Sequence, residues 1–338
     1  MLRKLFIFGI LMSGFFAQSQ DIHYSQFYMN PVYLNPALTG NFDGNYRFSA
    51  QQRSQWRSVS RPYNTFGFSV ESKEGWILPN LYHGLSFFHD VAGDGNFRTT
   101  EISLSTAYHL DLGKDSVHSI TPAFRASFNH RTIDFTQFTF GSQYNGYYYD
   151  ATLPTNESFA ISSRPGFNFS AGAIYRWNPE LRKDFVFGVG WFNIPQIKQS
   201  FMNDDNIKRD RRVLLHLRGT FKLNDKWDIQ PAVMTQFQGT FIELVAGTNL
   251  RYIMEDKRKE TGEFLAPYGG VFYRGVDAVN FVGGFYYNNW IAGVSYDLNL
   301  SELTAASKAR GGLEFQIQYI LKLFKPKVVQ FRVCPDYM

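Results

Sequence analysis

Few residues of this chain have a spacing that could support catalysis or metal binding. An esterase or phospholipase needs a serine beside a histidine, and no serine is paired by sequence with the histidines His83, His89, His109, His130 and His216. The run Asp90–Asn96 resembles a calcium loop but lacks the closing glutamate of an EF-hand, so it favours a glycine-rich hairpin turn. Cys334 is the single cysteine, which excludes an internal disulfide and a multi-thiolate metal site. The sequence therefore argues against an enzyme and predicts no cofactor and no metal.

Ionisable residues recur at positions that alternate with apolar ones. Within 313–323, for example, Leu313, Phe315 and Ile317 share one parity while Glu314 takes the other. Since successive strand side chains point to opposite faces, each such segment has one apolar and one polar face. The polar set predicts either a network of ion pairs that braces a barrel or a solute pathway. It comprises Arg47, Arg53, Glu101, Arg125, His216, Arg218, Glu243, Arg251, Asp297 and Glu314.

Such alternating segments recur along most of the chain and have about the length of a tilted membrane strand, ~9–11 residues. An arginine or lysine that faces lipid at the bilayer midplane costs ~2–4 kcal/mol, so the ionisable face should point into a polar lumen. Fourteen segments fit: 44–56, 63–73, 83–91, 98–110, 117–129, 166–178, 184–194, 211–223, 226–238, 241–252, 264–273, 278–287, 290–299 and 311–323. The pattern predicts an all-β fold, an antiparallel transmembrane β-barrel of fourteen strands. An even strand number places both termini on the periplasmic side, with short turns there and longer loops outside.

Composition agrees with a membrane barrel. The 338 residues include 34 Phe and 20 Tyr, yet mean hydropathy is negative. No window after residue 17 is apolar enough for a membrane helix, which needs ~20 such residues. A membrane barrel of this kind has outer-membrane lipid as a partner. The net charge of +5 is scattered along the chain rather than concentrated in a basic stripe, so the sequence predicts no nucleic-acid partner.

Both ends of the chain differ from the alternating region. Residues 1–19 have a basic start, a short apolar core and a small-x-small cleavage site, the features of a signal peptide. The predicted organisation is a signal peptide over 1–19, an N-terminal plug or periplasmic strap over 20–43, a barrel over 44–324 and a periplasmic tail over 325–338.

The segment before the first strand does not alternate. Its two Asn-Pro steps block regular helix and sheet. This predicts either a structural strap across the periplasmic mouth, or a plug or partner contact inside the lumen. The residues singled out are Tyr24, Ser25, Gln26, Asn30, Pro31, Asn35, Pro36 and Gly40.

This segment, from Tyr24-Ser25-Gln26 to Leu38-Thr39-Gly40, resembles the start of the mature PorP/SprF proteins, outer-membrane components of the type IX secretion and gliding apparatus of Bacteroidetes. The runs 293–297, 301–303 and 312–314 are similar to the closing hairpin of that family. The resemblance covers essentially the whole mature chain. It implies a fourteen-stranded barrel that receives a secreted cargo protein or adhesin through the cargo's C-terminal domain. It also implies other secretion or gliding components as partners.

One predicted outer connection, about 130–165, is much longer than the rest. A loop of this length is usually functional or mobile, and tyrosine is enriched where proteins bind one another. It predicts either a docking surface for a partner or a lid that folds into the mouth. The candidate contacts are Tyr144, Tyr147, Tyr148 and Tyr149. The leading hypothesis is thus a non-enzymatic cargo adaptor, and the alternative is a channel or transporter for a small solute.

Overall fold

The computed structural model describes residues 24–55, 57, 61–113, 115–157, 161–202, 204–257, 263–275, 277–300 and 310–323. The predicted signal peptide (1–19) and periplasmic tail (325–338) lie outside this part of the chain.

All fourteen predicted strands are present, and two short strands accompany them. Each predicted segment overlaps one long strand, with ends that differ by a few residues. The long strands are β1 (Tyr46–Gln55), β2 (Tyr63–Ser72), β3 (Leu81–Ala92), β4 (Phe97–Tyr108), β6 (His118–Thr132), β7 (Ser163–Glu180), β8 (Lys183–Phe192), β9 (Arg212–Lys222), β10 (Trp227–Gln238), β11 (Phe241–Tyr252), β13 (Glu263–Arg274), β14 (Ala278–Tyr287), β15 (Trp290–Asn299) and β16 (Arg310–Leu321). The short strands are β5 (Leu110–Leu112) and β12 (Glu255–Lys257).

The long strands form one closed antiparallel sheet. Each pairs with the long strands before and after it, and β16 closes the ring on β1 with Gln318 opposite Ser49. Closure removes sheet edges, so every strand of the ring has a partner on both sides, as a bilayer without water demands. The prediction of a fourteen-stranded antiparallel barrel is confirmed.

The break between β4 and β5 coincides with a proline. The ladder between β4 and β6 ends at Ala107 opposite Ala123, and the ladder between β5 and β6 begins at Leu110 opposite Ile120. Pro122 lies at this gap and has no N–H to donate. The interruption therefore follows from the sequence of β6.

Within the described residues, helical structure is confined to single turns. The segment before β1 has a 3-10 turn at Phe27–Met29, a short α-helix at Pro31–Leu34 and a 3-10 turn at Pro36–Leu38. Two further 3-10 turns, Phe135–Gln137 and Gly141–Gln143, lie between β6 and β7. None of the helices in the described part is long and apolar enough to cross a membrane.

The alternation of β16 appears directly in its solvent exposure. Phe315 and Ile317 are 53% and 43% exposed on the outer wall, whereas Glu314 and Gln316 are 1% and 5% exposed inside. The apolar parity thus faces outward, as predicted.

Replacing Ile317 with arginine should therefore lower the stability of the membrane-inserted barrel by ~2–4 kcal/mol, because the guanidinium would face lipid near mid-strand. Ile317→Leu keeps the outer wall apolar and is the matched control. Urea titration of both variants in liposomes, followed by tryptophan fluorescence, measures the difference. Equal midpoints for the two variants would mean that this parity does not face lipid.

The two ends of the barrel have unequal connections. The end that carries the connections 133–162 and 193–211 is called here the long-loop end. The opposite end, where β1 begins and β16 finishes, is called the terminus end, and it includes the two-residue turns 181–182 and 288–289.

The Asp90–Asn96 segment is a hairpin turn between β3 and β4, as its glycines indicated. Gly93 and Asn96 have positive φ angles of 64° and 45°. The Asp90 side chain points into the barrel and accepts a hydrogen bond from Thr65 at 2.7 Å. The side chains of Asp90 and Asp94 therefore point in different directions, since Asp94 is exposed and lies 3.7 Å from Arg61.

Candidate functional site: a plugged barrel lumen

Residues 24–43, called here the plug, lie inside the barrel. The eight residues singled out in the sequence are all buried there. Local sequence sets the shape of the plug: Pro36 starts a 3-10 turn, and Asn35 caps it by accepting the Ala37 N–H at 2.9 Å. Residue 43 then leads at the terminus end into β1, so the chain folds back within its own barrel.

The first anchor of the plug is a pair of carboxylates in the half of the barrel nearer the long loops. Glu314 accepts the backbone N–H groups of Ser25 and Gln26 at 2.8 and 2.9 Å. Asp297 accepts the Ser25 hydroxyl at 2.7 Å. These acceptors satisfy backbone donors that no helix or strand would pair.

The second anchor is Asn35, near the middle of the lumen. Its amide donates to the Val189 carbonyl at 3.1 Å and lies 3.2 Å from His216 Nε2. The wall opposite is glycine: a Cβ on Gly172 would sit 2.1 Å from Asn35 Oδ1, and one on Gly188 would sit 2.9 Å from Asn35 Nδ2. The glycines of β7 and β8 therefore allow the plug to approach the wall this closely.

The third anchor lies towards the terminus end. Glu71 accepts the Gly40 N–H at 3.1 Å and receives two hydrogen bonds from Arg47, each of 2.7 Å. The Arg47 guanidinium also donates to the Leu38 carbonyl at 3.3 Å and stacks 4.7 Å from the Phe42 ring centroid. Charged groups of the wall thus bind the plug backbone along its length.

Apolar contacts fill the space between these anchors. Phe27, Leu34 and Leu38 of the plug are buried against inward-facing wall residues, among them Ile174, Val186, Leu214, Met234, Val245 and Phe272. Each fully buried side chain of this kind contributes ~1.5–3 kcal/mol. The lumen is thus polar at the anchors and apolar between them, where wall residues cover the plug.

The structure places the ten predicted lumen residues on the inner wall, and most of them form ion pairs. Arg53 lies 2.7 Å from Asp297 and 3.8 Å from Glu314, and Arg125 pairs with Glu101. Glu243 pairs with Arg274 at 3.4 Å, and Arg251 pairs with Asp228 at 2.5 Å. His216 contacts the plug rather than a charge, and Arg218 has no ion pair with any residue that the structure describes.

Sequence reasoning missed several partners in this network, among them Glu71, Asp228 and Arg274. Glu71 and Arg274 lie near strand ends, where boundaries read from sequence carry an error of ~2–4 residues. Asp228 is fully buried between Arg182 and Arg251. All three stand on the polar parity of their strands, and that signal could have identified them.

The long connection between β6 and β7 keeps its tyrosines in solvent. Tyr147 is 91% exposed, and the other three are exposed as well: Tyr144, Tyr148 and Tyr149. The lower part of the loop is fixed, since Phe138 packs on Gly95 and the Phe135 ring lies 6.2 Å from Phe201. The tyrosines therefore do not fold into the mouth.

Together, a closed barrel with an apolar outer wall, a polar inner wall and an internal plug defines an outer-membrane β-barrel protein. The chain belongs to the PorP/SprF family, the type IX secretion system membrane proteins, whose model matches residues 16–319. No curated protein sequence matches it.

Two solved outer-membrane barrels are similar to this chain at low sequence identity, and TbuX shares its fold. The toluene transporter TbuX of Ralstonia pickettii is 10% identical with a TM-score of 0.52, over 87% of this chain and 94% of that one. The toluene transporter TodX of Pseudomonas putida is 9% identical with a TM-score of 0.48, over 85% and 91%. At these identities the likeness concerns the fold alone.

Proposed function

We propose that this barrel is a non-enzymatic adaptor of type IX secretion. It receives a secreted cargo protein, such as a large adhesin, and supports the export or anchoring of that cargo at the cell surface. In gliding cells the anchored cargo would take part in surface movement. The C-terminal domain of the cargo and other secretion or gliding components are its proposed partners. The observation that carries this proposal is the combination of a lumen filled by the plug with a tyrosine-rich loop held in solvent.

The proposed orientation places the terminus end in the periplasm and the long-loop end at the cell surface. The unequal connections support it, because outer-membrane barrels have short periplasmic turns and longer external loops. In this orientation the exposed tyrosines face the medium, where a surface-anchored cargo would be met.

The motif that includes Asn35 and Pro36 is proposed to hold the barrel closed rather than to bind cargo. Its residues are buried against the wall, and the Gln26 N–H, the Asn35 amide and the Gly40 N–H serve the three anchors. A partner could not reach these atoms without displacing the plug. The contacts with cargo are therefore assigned to the outer loop.

A passive or substrate-specific channel for a small solute is the alternative function. The structural neighbour TbuX is described as a toluene transporter, but a likeness at 10% identity does not transfer a substrate. Diffusion through the lumen would need the plug to leave or rearrange, whereas an adaptor needs no open lumen.

Deleting Tyr144–Thr155 should leave the barrel folded and release the surface partner. The deleted segment is hydrogen-bonded to the adjoining turn of the same loop, where Asp150 N–H donates to the Gln143 carbonyl at 2.8 Å. Phe135 and Phe138 hold the remaining loop on neighbouring connections. Tyrosines are common among residues that carry binding energy at protein interfaces. The measurement is a pull-down of the tagged barrel from native membranes, with the co-purifying large surface protein quantified.

A matched control removes exposed apolar groups at the opposite end. Trp76, Ile77 and Leu78 are exposed in the connection between β2 and β3, and their replacement by serine should leave the surface partner bound. If the loop deletion folds, reaches the surface and retains the partner, the loop does not form the binding site.

A further inference from the structure

A pocket of about 330 Å³ lies between the plug and the wall at the terminus end. Its lining includes Tyr28, Asp43, Arg218, Gln230, Tyr286 and Ile291. The Asp43 side chain is 96% exposed, so the pocket opens towards the terminus-end mouth. The volume is at the lower end of the range for small-molecule sites, ~300–1,000 Å³.

Four guanidinium groups line this pocket, and three of them have carboxylate partners. Arg47 pairs with Glu71 at 2.7 Å, Arg176 with Asp184 at 2.6 Å, and Arg251 with Asp228 at 2.5 Å. Each of these arginines therefore has a carboxylate partner within the protein, although Arg251 shares Asp228 with Arg182.

Arg218 is different from the other three. Its side chain has no hydrogen bond and no ion pair to any residue in the described ranges, and its Nε is buried without a partner. Its cross-strand neighbours on β8 and β10 are Val186 and Ala232, whose side chains cannot accept a hydrogen bond. A guanidinium stays charged in a protein, and leaving such a charge uncompensated is costly.

The residues around Arg218 indicate the chemistry of a bound molecule beyond its charge. Tyr28, Tyr286 and Ile291 offer aromatic and aliphatic surface, and Gln230 adds an amide. A guanidinium binds a carboxylate through two parallel hydrogen bonds, and the apolar surfaces suit a hydrophobic body attached to it. We propose that this pocket binds a carboxylate carried on an apolar or aromatic body, with Arg218 as the anion-binding residue.

Calorimetric titration of the purified full-length chain in detergent tests this proposal. The probes are phenylacetate and its neutral counterpart phenylacetamide. Phenylacetate should bind, phenylacetamide should bind about tenfold more weakly or worse, and Arg218→Gln should weaken phenylacetate binding by about the same factor. Lys208→Gln removes an exposed charge at the long-loop end and should change nothing.

The source of the carboxylate is tested with the capped peptide acetyl-Leu-Glu-Leu-amide. Stronger binding of the peptide than of phenylacetate would identify a protein segment as the source, and stronger binding of phenylacetate would identify a free acid. Both results support a carboxylate site.

Thermal unfolding without ligand supplies an independent readout. Since Arg218 has no hydrogen bond or ion pair to any residue that the structure describes, Arg218→Gln should unfold at the same or a higher temperature, and phenylacetate should stabilise only chains that retain Arg218. Absence of heat at millimolar phenylacetate, or equal binding of phenylacetate and phenylacetamide by the unaltered chain, would overturn the proposal. A lower unfolding temperature of Arg218→Gln without ligand would overturn it as well.

Discussion

Deletion of Tyr24–Gly40 should convert a closed barrel into an ion-conducting pore. The plug fills the lumen with buried residues, including Phe27, Leu34 and Leu38, and its removal would leave a wall that carries many ionisable groups. Water and ions would then solvate those groups, as they do in open porins. Planar-bilayer recordings should show large discrete openings for the deletion variant and none for the unaltered protein.

The matched control is the deletion of Tyr144–Thr155, which shortens the outer loop and leaves the plug intact. It should remain non-conducting. Migration on gels with and without heating establishes that each variant is folded before conductance is compared. Large stable openings in the unaltered protein would favour the solute channel, and a folded plug deletion that stays closed would show that the wall residues fill the lumen themselves.

Replacing Glu314 with alanine should cost ~3–5 kcal/mol of unfolding free energy, the effect of breaking a buried ion pair from one side. The loss leaves the N–H groups of Ser25 and Gln26 without their acceptor. It also removes a hydrogen bond of 2.6 Å from Gln51 and the ion pair of 3.8 Å with Arg53, which keeps its pair with Asp297 at 2.7 Å. Urea unfolding followed by tryptophan fluorescence measures the change.

Glu157→Ala is the control, because Glu157 is exposed in the long loop, and it should change stability by less than ~0.5 kcal/mol. Limited proteolysis separates local release of the plug from general destabilisation. In Glu314→Ala the bonds near Tyr24 should be cleaved before the strands. A variant with unaltered stability and a protected plug would mean that Glu314 is not an anchor.

Much of the fold follows from alternation, which is a local property. Whether a residue of 313–323 faces lipid or lumen depends on its parity, so Ile317 and Glu314 could be assigned without knowing which strands pair. The same logic placed the ten ionisable residues on the inner wall. Their inward direction follows from the cost of charge in lipid, which does not depend on the particular fold.

The sequence left two alternatives for the position of the non-alternating segment, a strap across the periplasmic mouth or a plug inside the lumen. Two Asn-Pro steps show that residues 24–43 cannot join the sheet as a regular strand, but they do not say whether the segment crosses the mouth or enters the lumen. Entry became possible because β7 and β8 place Gly172 and Gly188 opposite Asn35. That correspondence joins residues more than a hundred positions apart.

The sequence by itself determined the strands, their inner and outer faces and the family of this protein, because period-two patterning and the motif at 24–40 are read along the chain. Only the tertiary structure decided which charges meet. Ser25 meets Asp297 and Glu314 because β16 closes on β1 and the plug folds back inside the ring. Arg218 has no ion pair among the described residues, because the registers of β8 and β10 against β9 set Val186 and Ala232 beside it. Such contacts depend on strand register and barrel closure, which are set by the whole ring and not by any one segment.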